Sequence, residues 1–249
     1  GGIKSRLPQD LQNLVQRRVL KPNGSTFIAE YAHATNEFLA STDRWFHGVF
    51  TATGPDGAFY ILDFYRDLVE HPHWVAPEIR DKGDWRQVQA HGRIWRVTAK
   101  GRPLVEKPKL VSAKNSELLE QLLSPNLFNQ EQARRVLTER GEKIKSDLDK
   151  WTKSQTTEKA LLQALWMYQS LNSIRLDLLQ RLLDAKDGRI RAAAVRVLVE
   201  WSDNIENPID PLAQRVADEP PRARLEAARA PPQIPAARPP APVLPAPSN

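Results

Sequence analysis

The spacing of apolar residues changes character near residue 110, from a period of two to the period of a helix, and one layer of secondary structure cannot satisfy both. Before the change, "VQRRVL", "TFIAEY", "GVFTAT", "AFYILDF" and "GRIWRVTAKG" are short segments bounded by turn residues, which predicts antiparallel strands between residues 13 and 98. Asn23-Gly24 stands at a hairpin position that requires positive φ. Gly54-Pro55-Asp56-Gly57 has the proline of a type I turn at its second position and glycine at its fourth. In the fifth strand, Ile94, Arg96 and Thr98 share one face and Arg93, Trp95 and Val97 the other.

After the change, Ile190, Ala194, Val197, Leu198 and Trp201 recur at i, i+4, i+7, i+8 and i+11, which is one face of a helix. Leu176, Leu179, Leu182 and Leu183 mark a preceding helix, and Leu161, Leu165 and Tyr168 another. "NQEQARRVLTERG" pairs Asn129 with Gln132 as a capping box and stops at Gly141. Ala133, Ala164, Ala194 and Ala227 lie 31, 30 and 33 residues apart, the signature of paired helices that bury their faces against neighbouring pairs. "DGRIRAAAVRVL" and "EPPRARLEAARA" resemble the start of HEAT repeats. The resemblance implies that Arg191 and Arg224 stabilise the repeats by bonding a neighbouring turn, with binding of a partner as the alternative. The fold class expected is therefore α+β: a blade-like antiparallel region over 1–105, a HEAT- or armadillo-like solenoid over 106–230, and a Pro/Ala-rich disordered tail over 231–249.

Composition excludes several chemistries. The chain has no cysteine, so disulfides, thiolate nucleophiles, zinc–thiolate sites and covalent haem c attachment are ruled out within it. Net charge is +6, and residues 84–109 carry Arg86, Arg93, Arg96, Lys100, Arg102, Lys107 and Lys109 against Asp84 and Glu106. With no nucleic-acid module beside it, that stretch is expected to be a solvated strand and linker, and no nucleic-acid partner is expected. No apolar run approaches the ~20 residues of a membrane span, and "GGIKSRLPQDLQNLV" lacks both a signal core and a methionine, as an internal or processed end would. Glu70, His71, His73 and His91 lack the helical i, i+4 spacing of a metal site, so no metal is expected.

The run from Asn36 to Trp85, "NEFLASTDRWFHGVFTATGPDGAFYILDFYRDLVEHPHWVAPEIRDKGDW", with "HGRIWRVTAKGRP" and the helices after it, resembles the planctomycete-type membrane-bound dehydrogenase family. That family is similar to β-propeller sugar and sorbosone dehydrogenases, and its own members commonly continue into HEAT-like repeats. The resemblance covers roughly residues 13–230. It implies a periplasmic or secreted parent that oxidises a sugar or alcohol with pyrroloquinoline quinone and passes electrons to a haem c domain. Three departures stand out. The family's Trp-Phe-Arg-Pro-Val-Asp is replaced by Trp45-Phe46-His47-Gly48-Val49-Phe50, which removes an Arg and an Asp. The region ahead of Asn13 looks shortened, since the resemblance implies a further strand between "LPQDL" and Asn13. A six-bladed propeller needs about two dozen strands, against about five recognisable here.

The long connection "DFYRDLVEHPHWVAPEIR" is then a propeller-face loop, with His47, Asp63, Tyr65, Arg66, Glu70 and His71 as its candidate site residues. The plain alternative is that Asp63 pairs with Arg66 to brace the loop while Trp74 packs beneath it. The expected function is that of a fragment of a dehydrogenase-like protein, inactive alone and without a cofactor of its own, whose partners are missing blades or a haem c domain. The alternative is a scaffold that binds a protein on its helical repeats.

Overall fold

In the computed structural model, which describes residues 3–9, 13–66, 71–82 and 90–230, the chain opens with an antiparallel sheet. Strands β1 (Ile3–Gln9), β2 (Leu14–Asn23) and β3 (Thr26–Tyr31) are neighbours in that order, and the two-residue β4 (Leu39–Ala40) also pairs with β2. β1 lies ahead of Asn13 and was not expected as a strand; it pairs in register from Ile3↔Leu20 to Gln9↔Leu14. "IKSRLPQ" has no alternation to betray it, and Pro8 is tolerated because β1 is an edge of its sheet. The β2–β3 turn also lies one residue later than expected. Asn23 pairs with Thr26, and Gly24, at φ +58°, takes the first loop position.

The second sheet has the order β5 (Gly48–Thr53), β6 (Phe59–Asp63), β7 (Arg93–Val97). Its first hairpin closes through Gly54-Pro55-Asp56-Gly57, where the Gly57 N–H donates to the Gly54 carbonyl at 3.0 Å and Gly57 has φ +76°. One face, with Ile61 at its centre, packs on Val15 and Phe46 and is flanked by Phe38, Leu39, Phe59 and Val97. The other face carries Phe50, Leu62 and Ile94 as cross-strand neighbours, all exposed. Between β6 and β7 lie a 3-10 turn over Pro72–Trp74 and the one-turn helix α1 (Pro77–Arg80).

Chain contacts define two units, Gly1–Ala113 with Ser124–Ala133, and Lys114–Leu123 with Arg134–Asn249. The helices are α2 (Asn115–Gln121), α3 (Leu127–Arg140), α4 (Lys145–Ser154), α5 (Glu158–Ser170), α6 (Leu176–Leu183), α7 (Gly188–Glu200), α8 (Ile209–Val216) and α9 (Pro221–Arg229). Helices α3, α5, α7 and α9 begin at residues 127, 158, 188 and 221, intervals of 31, 30 and 33 that equal those between the four alanines. Ala133, Ala164, Ala194 and Ala227 are all buried. The helices therefore recur as a repeat.

Two local expectations fail. Helix α3 starts at Leu127, and its cap is Asn126, whose Oδ1 accepts the Phe128 N–H at 3.0 Å, so Asn129 lies inside the helix. Leu176, at the first position of α6, is exposed, and Leu178 joins Leu179, Leu182 and Leu183 in the core instead. No helix among the described residues is long and apolar enough to cross a membrane. The tail, 231–249, lies outside the described residues.

Trp201, directly after α7, is buried with Ile190, Ala194, Val197 and Leu198. Trp201→Ala is expected to cost about 3 to 5 kcal/mol in chemical denaturation, as other large core truncations do. A loss below about 1 kcal/mol would mean that the face is not the core of the repeat.

Candidate functional site

Asp63 ends β6 on the core side of its sheet and is almost fully buried. Its Oδ1 accepts the backbone N–H of His47 at 2.9 Å and of Tyr65 at 3.0 Å, and its Oδ2 accepts the Trp95 indole N–H at 3.0 Å. Three segments thus meet at one carboxylate, which has both oxygens engaged. His47 is buried beside it. Its Nδ1 lies 3.0 Å from the Trp45 carbonyl, which can only accept, so the proton sits on Nδ1. Tyr65 adopts φ +49°, which its N–H bond to Asp63 holds in place, and its ring meets Trp45 at 5.6 Å and the Arg93 guanidinium at 3.4 Å.

Of the expected site residues, His47, Asp63 and Tyr65 are therefore brought together. Arg66 is not part of that cluster. It lies over the Phe64 ring at 5.0 Å and makes no pair with Asp63, so the bracing pair is corrected: Asp63 has spent its oxygens on nearer N–H donors. Trp74 is 78% exposed, with its ring edge-on to His73 at 5.4 Å, and is not a buried brace beneath the described part of the loop. His71 accepts the His73 N–H on Nδ1 at 3.2 Å at an exposed position, and Glu70 lies outside the described residues. Among the described residues, no three His, Asp or Glu side chains gather as a metal site. On the outer side of the sheet, Val49, Leu62, Phe64 and Ile94 line a groove of ≈ 300 Å³ with Arg66 and Arg93 at its rim.

Two groups that sequence reasoning passed over organise this unit. Asn13, at φ +54°, donates from its side-chain amide to the carbonyls of Arg44 and Phe46 at 2.8 Å each, which shapes the turn that presents Trp45 and His47. An asparagine between two strands is the signal that was available, since Asn tolerates the left-handed region. Asp56, in the Gly-Pro-Asp-Gly turn, is buried and accepts Nε and Nη2 of Arg96 at 2.9 and 2.6 Å and the Ala58 N–H at 3.1 Å. The Arg96 bond outweighs burial and holds the Asp56 carboxyl below its usual range. Arg96 is visible on the outer face of the fifth strand, but its partner follows only from the β6–β7 register, in which Tyr60 faces Arg96.

In the helical unit, Arg191 donates from Nη1 to the carbonyls of Ala185 and Lys186, and from Nε and Nη2 to Asp218 at 2.8 and 2.9 Å. Arg224 donates from Nη1 to the carbonyls of Asp218 and Glu219 at 2.9 and 2.7 Å. Glu158 accepts the N–H groups of Lys186 and Asp187 at 2.7 and 3.1 Å, and these two bonds lower its carboxyl below the ordinary range. Tyr168, buried against Asp149, is pushed up to about 12, first by burial and then by that hydrogen bond. Of these groups, Arg191 and Glu158 each bond a segment of a different helix pair.

Asp63→Ala is expected to leave three N–H donors, that of His47 fully buried, without their acceptor and to cost about 3 kcal/mol in urea unfolding of the sheet unit, whereas Arg66→Ala changes stability by less than about 0.5 kcal/mol. Equal effects would show that Asp63 is not the joint. For Asp56 the depressed native value means that its contribution is complete above the ordinary carboxylate range and is lost as pH falls through the lowered value. Amide exchange at Ala58, corrected for intrinsic rates, should then accelerate on acidification, and Asp56→Asn should remove that pH dependence.

Residues 7–101, less than half of the chain, match a family model described as a domain of unknown function (DUF7133), and the stretch includes β2 to β7, the end of β1 and the Asp63 cluster. No curated protein and no solved structure matches the chain.

Proposed function

We propose that this chain is a non-catalytic part of a dehydrogenase-like β-propeller protein of the sugar or sorbosone dehydrogenase type, periplasmic or secreted, in which helical repeats follow the sheets. The observation that supports this reading is the second sheet. Its inner face closes over Val15, Phe46 and Ile61, yet its outer face is also apolar, with Phe50 57% and Ile94 70% exposed. An antiparallel sheet that meets water on one side is normally polar there, whereas a sheet packed between two others is apolar on both. The parent then supplies the covering sheets.

The residues of this chain do not by themselves fit pyrroloquinoline quinone. Both oxygens of Asp63 are engaged, the His47 ring is buried, and the cluster occupies the end of one sheet rather than an axis shared by several blades. Haem c attachment needs cysteines that this chain lacks, so both cofactors belong to other parts of the parent. The second reading, a scaffold that binds protein through its repeats, is favoured by the exposure of Val216 at the end of α8 and of Ala228 on α9.

Purified and supplied with pyrroloquinoline quinone, calcium and glucose, sorbosone or simple alcohols, the chain should reduce no dye above the protein-free blank. Turnover abolished by His47→Ala would sink the non-catalytic reading. In this chain, Phe50→Asp and Ile94→Asp should each shift stability by less than about 0.5 kcal/mol, while in a longer product of the same reading frame that carries further blades they should prevent folding. Equal tolerance in both products overturns the propeller reading.

A further inference from the structure

Helix pairs α6–α7 and α8–α9 are in register at a shift of 33 residues: Leu176–Leu183 becomes Ile209–Val216, and the start of α7 at Gly188 becomes the start of α9 at Pro221. The same shift carries Arg191 onto Arg224. Their Nη1 groups do the same work, each donating to the carbonyls six and five residues back, Ala185 and Lys186 for one and Asp218 and Glu219 for the other. The remaining edges of the two guanidinium groups differ. Nε and Nη2 of Arg191 take both oxygens of Asp218 in the next pair, a joint in which the Arg191 side chain is 13% exposed. Arg224 is exposed, and its Nε and Nη2 have no partner among the described residues.

The surrounding positions repeat this contrast. Leu183, Ala192 and Val195 are buried in the α6–α7 pair, whereas their equivalents Val216, Leu225 and Ala228 are 48% exposed, half-buried and exposed. The outer side of α8–α9 is thus the uncovered copy of a surface that the chain covers once already, and the covered copy shows what the surface accepts.

We propose that this side docks a helix pair of another protein that carries an aspartate or glutamate two residues ahead of the N-cap of its second helix, the place Asp218 holds ahead of Pro220. A carboxylate matches the planar fork of Arg224, and small apolar side chains beside it meet Val216 and Ala228. The nineteen residues after Ala230 contain no Asp or Glu and so do not supply the acid. A second copy of the chain does not supply it from its earlier pairs either. At the equivalent place it offers Ser124 ahead of the cap Asn126, and Gln155 ahead of the cap Thr157. Its Asp218 is already held by its own Arg191. The inference does not depend on the propeller reading and stands if that reading fails.

The test uses the full chain and a fluorescein-labelled peptide of its own residues 202–230, which contains α8, α9 and Asp218, followed by fluorescence anisotropy. Saturable binding is expected, weakened at least about tenfold by Asp218→Asn in the peptide and by Arg224→Ala or Ala228→Glu in the protein. Arg189→Ala, on an exposed side chain of α7, should leave binding unchanged. As a second measurement, the same residues appended after Ala230 should add helix by circular dichroism, and Arg224→Ala should lower the melting temperature of that longer form. Binding indifferent to Asp218 or Arg224 overturns the proposal, because the peptide would then be displacing the chain's own last pair. Self-association of the chain in sedimentation, lost on Arg224→Ala, overturns it in favour of a second copy. Absence of both saturable binding and added helix overturns it outright.

Discussion

No element of this chain buries its apolar side chains alone, and in each unit the burial is completed by carboxylates that tie one segment to a distant one. Asp63 joins β5, β6 and β7 through two backbone N–H groups and an indole. Asp56 fastens the β5–β6 turn to β7 through Arg96, and Asp218 fastens the last helix pair to the one before it through Arg191. Glu158 does the same one repeat earlier with two backbone donors. Such groups are costly to bury singly and acceptable in pairs, so each fixes one arrangement of the segments that it joins.

This use of the carboxylates bears on function. Both oxygens of Asp63 already accept N–H donors, and the His47 ring is turned to a backbone carbonyl in a buried position. What is left open on the sheet unit is an apolar surface with arginines at its rim, and on the helical unit a surface that repeats an internal joint. The proposed propeller packing rests on the first surface and the proposed docking on the second.

Much of the architecture was legible because it rests on period. The strands after Asn13, the Gly-Pro-Asp-Gly hairpin and the four buried alanines follow from alternation, turn chemistry and spacing, which are local. Strand β1 was hidden because an edge strand with a proline has no pattern to show. Asn129 was mistaken for a cap because Asn126 precedes it by three residues, and both fit a helix start. In the candidate site, His47, Asp63 and Tyr65 were legible as neighbours of a rich loop. Asn13 and Arg93, which shape that site, lie about thirty residues away from it in sequence and were not.

The sequence by itself determined the division into strands and helices, the interval of the repeat and the absence of thiol chemistry, because these depend on residue type and on spacing along the chain. Only the tertiary structure decided which partner each charged group takes: Asp63 with Trp95 and not Arg66, Asp56 with Arg96, Arg191 with Asp218 while Arg224 keeps an open edge. The physical reason is that a hydrogen bond is chosen by distance and desolvation in the folded state. Residues 27 to 40 positions apart become the nearest donors and acceptors only after strand register and helix stacking have set them side by side.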